Sequence, residues 1–184
     1  YDLAITARSL EEGEQHEHGT WASDTRPLPG SLRTTQTQVE AIGASCLCLR
    51  SDILDPDSVS VAVDTALDTF GRIDLLFNNA GVMPRPATLV DTDENDLRWV
   101  YEVNVFGAFN VLKVFAGRMI EQSTPSQIVT TGSENSVCSL APLMSAYNSA
   151  KHAVLGLSGI LRMELPEHVG ISLFCPGIVK TRLS

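Results

Sequence analysis

The sequence predicts a single α/β domain built on a parallel sheet that helices cover on both faces. Short apolar segments rich in Val, Ile and Leu alternate with segments in which apolar residues recur at helical spacing. Strands that are apolar along their whole length are typical of parallel sheets buried between helices. The chain has 184 residues, enough for one such core, and the sequence shows no internal repeat.

The order of the predicted elements follows from local signals. Strands are predicted at 3–7, 46–50, 75–78, 127–131 and 171–174. Helices are predicted over 34–42, from Asp55 to a stop at Gly71, through Trp99 and Val103, over 106–120 and over 146–165. Residues 9–33 are polar and contain Pro27, Pro29 and Gly30, which indicates an exposed loop or insertion.

Composition excludes several classes of protein. The net charge of -9 and the pI near 4.8 argue against a nucleic-acid partner, which needs clustered Lys and Arg. No apolar run is expected to span a membrane, and we expect a cytoplasmic protein. The four cysteines form no CxxC pair and are expected to be reduced. His16 and His18 flank Glu17 in the polar loop, but no further ligand is indicated, so no metal site is predicted.

Tyr147 and Lys151 are the strongest pair of chemically active residues. They lie at positions i and i+4 of a predicted helix, so the phenol and the ammonium share one face. A nearby cation favours the phenolate, and a tyrosine tuned in this way can exchange a proton with an alcohol or a ketone. A YxxxK match alone is common by chance, and the plain alternative is a surface Tyr beside a solvated Lys.

Other polar or small residues follow the predicted strands. Asn78-Asn79-Ala80-Gly81 ends one strand, Ser133 follows the next, and Pro176-Gly177-Ile178-Val179-Lys180-Thr181 follows the last. Ligands of such sheets bind at the carboxyl ends of the strands, where small residues allow close approach of the backbone. Asn104 falls within a predicted helix, where an Asn is unfavourable unless its amide is otherwise used.

Taken in order, NNAG, NVxG, a serine at a strand end, YxxxK and PGxVxT resemble the short-chain dehydrogenase/reductase family. The resemblance covers nearly the whole chain. It implies a Rossmann-like doubly wound α/β fold, with residues 1–184 as one dinucleotide-binding and catalytic domain. It also implies an oxidoreductase that acts on an alcohol or ketone, and a homodimer or homotetramer formed through the helices at 106–120 and 146–165.

The resemblance assigns the catalytic roles residue by residue. Tyr147 would be the general acid in ketone reduction and the general base in alcohol oxidation. Lys151 would lower the pKa of Tyr147 and bind the nicotinamide ribose. Ser133 would polarise the substrate carbonyl, with Ser136 as its rival, and Asn104 would hold a water for proton relay. This set favours simple hydride transfer over dehydration or epimerisation.

The resemblance also assigns the cofactor site. Asn79, Ala80 and Gly81 would border the adenosine, as would Asp52, with Ile53 beside it. Pro176, Gly177 and Ile178 would flank the nicotinamide, and Thr181 would contact its carboxamide. Arg8 follows the first strand, with Ala7 where an acid is usual, so NADP is expected in preference to NAD, although NAD stays possible.

Two parts of the family pattern are absent from the sequence. No GxxxGxG turn occurs to cradle the pyrophosphate, and the segment expected to close over the substrate would follow Ser184. The missing first strand would be central, between the strands at 3–7 and 75–78. We therefore expect that this chain is part of a longer protein and is truncated at both ends. The alternative is a non-catalytic binding or scaffold protein that keeps the fold without the glycine-rich cofactor loop.

Overall fold

The computed structural model describes residues 1–14, 30–140 and 142–179. The chain divides into two compact units, Tyr1–Arg72 and Ile73–Ser184. Most of the polar loop predicted at 9–33, including His16 and His18, lies outside the described residues, as does Thr181. The assignment of 1–184 to one catalytic domain stays a prediction.

The described residues of the first unit, 1–14 and 30–72, form a parallel two-stranded sheet and two helices. Strands β1 (Leu3–Ala7) and β2 (Cys46–Arg50) pair in register from Leu3 opposite Cys46 to Ala7 opposite Arg50. Helix α1 spans Leu32–Ala41, two residues before the predicted start, because Ser31 caps it by accepting a hydrogen bond from Thr34 N at 3.1 Å. Helix α2 spans Pro56–Phe70.

The ends of α2 confirm the signals in the sequence. The Asp55 side chain accepts a hydrogen bond from Asp57 N at 3.0 Å, and Pro56 occupies the first turn. Gly71 ends the helix with a φ of 79°, in the left-handed region that glycine adopts at little cost. This helix positions the turn after β2, where Asp52 and Ile53 lie.

The second unit contains a parallel three-stranded sheet in the order β3-β4-β5, formed by Leu75–Asn78, Ser126–Thr131 and Val169–Phe174. Its helices are α3 (Glu94–Tyr101), α4 (Ala108–Glu121) and α5 (Ser145–Glu164). A π-helical segment, Glu102–Gly107, joins α3 to α4, and a 3-10 turn, Glu134–Ser136, follows β4. The parallel α/β class predicted from the sequence is confirmed.

One face of this second sheet carries its core. Leu76, Ile128 and Ile171 lie on that face and are buried, while α4 and α5 supply fully buried Met119 and nearly buried Val154. On the opposite face, Leu75 and Phe77 stay 58% and 53% exposed. Helices α4 and α5 of the second unit pack against the face of Leu76.

Helix α3, the π segment and α4 form one continuous helical run, Glu94–Glu121, of 28 residues. Its mean hydropathy reaches 1.3 over an 18-residue window, so by length and composition alone it could cross a membrane. The expectation that no run reaches that length was therefore wrong on this measure. Core helices pass the same test, and buried Val100, Leu112 and Met119 lie along this run, so it is weak evidence for a membrane.

Candidate active site

Tyr147 and Lys151 lie one turn apart in the first half of α5, and both side chains point into the protein. Only 6% of Tyr147 and 5% of Lys151 is exposed. The Lys151 Nζ lies 5.6 Å from the centroid of the Tyr147 ring. The prediction that the two residues share one helical face is confirmed, and the alternative of a surface Tyr beside a solvated Lys is wrong.

Lys151 is held by the end of β4. Its Nζ donates a hydrogen bond to the carbonyl oxygen of Thr131 at 2.9 Å. Burial lowers the pKa of Lys151 to about 8, and the electrostatic interaction with nearby Cys175 opposes that shift. The ammonium is therefore mostly charged at neutral pH but loses its proton at only mildly alkaline pH.

Ser133 begins the 3-10 turn that follows β4, and it contacts Tyr147. Its Oγ accepts a hydrogen bond from Asn135 N at 3.2 Å. Its side chain also lies close enough to the Tyr147 phenol to lower the pKa of that group. The buried hydroxyl of Ser133 therefore lies beside the phenol that would transfer the proton.

Ser136 closes the same turn in a different way. Its Oγ accepts a hydrogen bond from Ser133 N at 3.0 Å, and the residue is fully buried. A Cβ at Gly132 would lie 2.8 Å from that Oγ, so the hydroxyl packs against backbone. Both serines therefore cap this turn, and it is the contact of Ser133 with Tyr147 that favours Ser133 as the catalytic serine, an assignment that stays a prediction.

The pKa of Tyr147 moves in the direction opposite to the prediction. Burial raises it, because the low-dielectric surroundings penalise the phenolate, and the hydrogen bond from Ser133 lowers it only in part. Burial and Ser133 account for this shift, so the lowering of the Tyr147 pKa by Lys151 stays a prediction. Lys151 Nζ lies beside the ring, and its hydrogen bond goes to Thr131.

Asn104 occupies the π-helical segment, where the sequence predicted ordinary helix. Its side chain is 2% exposed and forms hydrogen bonds with one residue of the loop after β3. The Oδ1 accepts a hydrogen bond from Val82 N at 2.7 Å, and Nδ2 donates one to Val82 O at 2.8 Å. π-Bulges often occur at functional sites. The amide is thus used as the sequence required, while the water-relay role stays a prediction.

The loop 78–81 after β3 lies against the same cluster. A Cβ at Gly81 would lie 3.2 Å from Asn104 Oδ1 and 3.7 Å from Lys151 Nζ, so a side chain there would crowd the Asn104 amide and contact the ammonium. Asn79 Oδ1 accepts a hydrogen bond from Thr131 Oγ1 at 2.9 Å. Gly81, Asn104 and Lys151 are therefore brought together, whereas Ala80 is exposed.

The segment after β5 lies beside the 3-10 turn. Glu134 N donates a hydrogen bond to Pro176 O at 3.0 Å, and a Cβ at Gly177 would lie 3.2 Å from the Glu134 carboxylate. Ile178 is 93% exposed. The predicted nicotinamide residues Pro176 and Gly177 thus border the turn that carries Ser133.

The remaining predicted cofactor residues belong to the first unit. Arg8 directly follows β1, and Asp52 and Ile53 follow β2. Asp52 Oδ1 accepts a hydrogen bond from Leu54 N at 2.9 Å, and Asp52 N donates one to Ser58 Oγ at 3.0 Å. These bonds fix the turn at the carboxyl end of β2.

Arg50 is a residue of this region that the sequence reasoning missed. Its guanidinium donates a hydrogen bond to Arg8 O at 2.5 Å and lies 2.9 Å from the Glu14 carboxylate. Glu14 also accepts hydrogen bonds from Leu10 N and Glu11 N, and these bonds together with Arg50 lower its pKa. The parallel pairing of Ala7 with Arg50 could have placed this second arginine beside Arg8.

Comparisons with known proteins show the family to which this chain belongs. The family described as short chain dehydrogenase matches residues 25–184, and the chain belongs to that family. It is 33% identical over 185 residues to 1-deoxy-11-beta-hydroxypentalenate dehydrogenase of Streptomyces arenae, covering 97% of this chain and 63% of that protein. It is 36% identical to secoisolariciresinol dehydrogenase of Forsythia intermedia, covering 74% of this chain and 49% of that protein.

Solved structures give the same family and fold. A short chain dehydrogenase/reductase from Burkholderia phymatum in complex with NAD matches with a TM-score of 0.77 and 37% identity, over 83% of this chain and 54% of that one. ElxO with NADP bound matches with a TM-score of 0.70 and 28% identity, over 74% of this chain and 55% of that one. The Rossmann-like α/β fold is thereby confirmed. This chain spans about half to two thirds of the length of these curated relatives.

Proposed function

We propose that this protein is a nicotinamide-dependent oxidoreductase that interconverts a secondary alcohol and a ketone, with Tyr147 as the general acid and base. The observation that carries the proposal is the buried contact of Ser133 with Tyr147, one helical turn from buried Lys151. Three polar side chains converge there at the carboxyl end of β4, where a parallel sheet binds its ligands. Such a set can hold a carbonyl oxygen and give it a proton.

In ketone reduction, the Tyr147 hydroxyl would donate its proton to the substrate oxygen as negative charge develops there. The Ser133 hydroxyl would donate a hydrogen bond to the same oxygen, with its own Oγ held by Asn135 N. When bound, the nicotinamide cofactor supplies or accepts the hydride. Lys151 would stabilise the tyrosinate that remains, because its ammonium lies beside the ring.

The electrostatics of the ligand-free site favour the reductive direction near neutral pH. Burial raises the pKa of Tyr147, so the phenol is protonated and able to act as an acid. Alcohol oxidation requires the phenolate, which becomes more populated as the pH rises. We therefore expect oxidation to have the more alkaline optimum.

The residues around Lys151 fit the ribose of a nicotinamide cofactor. The missing side chain at Gly81 leaves space next to Lys151 Nζ, which a Cβ would enter to 3.7 Å. The ammonium has three donors, and among the described residues it donates one hydrogen bond, to Thr131 O, so hydroxyl oxygens could accept from the others. Pro176 and Gly177 would border the nicotinamide, with Thr181 at its carboxamide.

We further propose that the cofactor is NADP in preference to NAD. Arg8 and Arg50 both lie at the carboxyl ends of β1 and β2, where the adenosine ribose is expected, with Asp52 and Ile53 near the adenine. Guanidinium groups bind the extra phosphate of NADP well, because they offer paired donors and a permanent charge. Solved relatives include both NAD-bound and NADP-bound proteins.

The substrate class follows from the side chains near the 3-10 turn. Val137 and Leu143 are 61% and 44% exposed on the connection between β4 and α5. They would offer an apolar wall to a substrate whose oxygen reaches Tyr147. A homodimer or homotetramer and a cytoplasmic location are part of the same proposal, and exposed Phe109 on α4 and Ile160 on α5 are consistent with association.

Replacing Tyr147 by Phe tests the mechanism. The full chain would be screened against secondary alcohols and ketones with either cofactor, following NADPH or NADH absorbance, and binding would be titrated separately. Turnover should fall by at least ~100-fold in Tyr147→Phe, while cofactor affinity changes little. Tyr101→Phe, which alters a tyrosine on α3, is the control. Equal turnover of wild type and Tyr147→Phe would contradict the mechanism, and nucleotide binding without any turnover would favour the non-catalytic alternative.

A further inference from the structure

Asn148 follows Tyr147 directly in the first turn of α5, and its amide is fully engaged with the connection that carries Ser133. Its Nδ2 donates hydrogen bonds to Asn135 Oδ1 at 3.2 Å and to Cys138 O at 3.3 Å. Its Oδ1 accepts a hydrogen bond from Ser139 Oγ at 3.3 Å. One side chain thus reaches three residues of the segment 133–139, here called the serine loop.

The serine loop transmits this contact to Ser133. Asn135 is 8% exposed, and its N–H donates a hydrogen bond to Ser133 Oγ at 3.2 Å. The chain of contacts therefore runs from Asn148 through Asn135 to the hydroxyl oxygen of Ser133. Because that oxygen already accepts the Asn135 N–H, the hydroxyl hydrogen is directed away from the turn.

We propose that Asn148 is a positioning residue for the proposed reaction, which fixes the serine loop so that the Ser133 hydroxyl faces Tyr147. The inference rests on the proposed function. Tyr147 and Asn148 are consecutive residues of one rigid helix, so that helix sets the position of the phenol and of the loop together. A hydroxyl that must bond a developing oxyanion needs its direction fixed before the reaction, since reorientation would cost rate.

The chemistry of the amide explains why Asn suits this position. The serine loop presents two acceptors, Asn135 Oδ1 and Cys138 O, and one donor, Ser139 Oγ. A primary amide offers two N–H donors and an acceptor on a short side chain. A serine would offer a single donor, and an apolar residue would leave all three loop groups without this partner.

Three variants test the inference. Asn148→Ala removes the amide, Asn148→Leu removes it while keeping the volume, and Ser149→Ala is the matched control. Ser149 Oγ bonds Ala146 O within the helix at 3.1 Å and does not reach the loop. Both Asn148 variants should lose on the order of 10-fold in kcat/KM, with unchanged cofactor affinity, and Ser149→Ala should stay within about twofold of wild type.

A double-mutant cycle separates positioning from a general structural role. In a Ser133→Ala background, Asn148→Ala should lower kcat/KM by less than about twofold, because the group it positions is already missing. If Asn148→Ala lowers kcat/KM by the same factor in the Ser133→Ala background as in wild type, the inference is overturned. Thermal unfolding shows whether Asn148→Ala and Asn148→Leu are folded, and the kinetics are measured on the variant that is.

Amide hydrogen exchange gives a readout that does not depend on turnover. In the ligand-free protein, exchange at Asn135 N should be faster in the Asn148 variants than in Ser149→Ala. Unchanged exchange would overturn the inference, as would faster exchange with full kcat/KM. An inactive wild type would instead contradict the proposed function, and the exchange result would then still decide whether Asn148 holds the loop.

Discussion

The Nζ of Lys151 donates a hydrogen bond to the carbonyl oxygen of Thr131 at 2.9 Å, tying α5 to the last residue of β4. This bond holds a charged group in a site where only 5% of the side chain is exposed. Burial costs the ammonium its hydration, which is why the pKa of Lys151 falls to about 8. The partly desolvated ammonium of Lys151 therefore lies at the same site as the side chains of Tyr147 and Ser133.

Stability should rise with pH through the titration of Lys151. The folded pKa of about 8 lies below the ordinary value of 10.5, so above pH 8 the unfolded state binds more protons than the folded state. The free energy of unfolding should increase between about pH 8 and 9.5 by about 1 to 2 kcal/mol, and Lys151→Met should remove this increase. Urea denaturation at several pH values measures it. A Lys151→Met protein with the wild-type pH slope would contradict the assignment.

Ketone reduction should weaken as Lys151 loses its charge. With a protonated Tyr147 and a charged Lys151 both required, kcat/KM should be level below pH 7 and fall above a pKa of about 8. Lys151→Arg keeps the charge at all these pH values and should shift the fall upward. Initial rates with a single ketone across about pH 6 to 10, roughly two units on either side of the Lys151 pKa of about 8, provide the test. A wild-type profile that stays level to pH 10 would count against a catalytic role for Lys151.

Ser133 and Ser136 should differ in how far their substitution lowers activity. Ser133→Ala removes the hydroxyl beside Tyr147, so kcat should fall by on the order of 100-fold. It also removes the acceptor of Asn135 N at the start of the turn, so it should cost about 1 kcal/mol of unfolding free energy. Ser136→Ala removes the acceptor of Ser133 N, so it should lower the free energy of unfolding by about 1 kcal/mol. Its loss of kcat should be smaller than that of Ser133→Ala. Parallel thermal unfolding and kinetics compare the two. The reverse pattern would make Ser136 the catalytic serine.

The sequence predicted the strands and most helix boundaries, because caps such as Asp55 and stops such as Gly71 act over a few neighbouring residues. The pairing of Tyr147 with Lys151 was also predictable, since helical spacing alone places them on one face. The π segment at Asn104 was not, because its form depends on Val82, 22 residues earlier in the chain. The direction of the Tyr147 pKa was missed for a similar reason: burial is a property of the packed fold, and it outweighs the hydrogen bond from Ser133.

The choice of cofactor should depend on Arg50 and Glu14 as well as on Arg8. In the ligand-free chain the Arg50 guanidinium lies 2.9 Å from the Glu14 carboxylate, so an incoming phosphate would compete with that carboxylate. Glu14→Gln should therefore raise the affinity for NADP relative to NAD, while Arg50→Met should lower it by about 10-fold. Binding titrations with NADP, NAD and adenosine 2'-phosphate measure these ratios. Arg33→Met, which breaks the neighbouring contact with Glu11 at 3.5 Å, is the control and should leave the ratio unchanged. A wild-type preference for NAD, unaltered in Glu14→Gln and Arg50→Met, would contradict both the predicted cofactor and the role of this arginine.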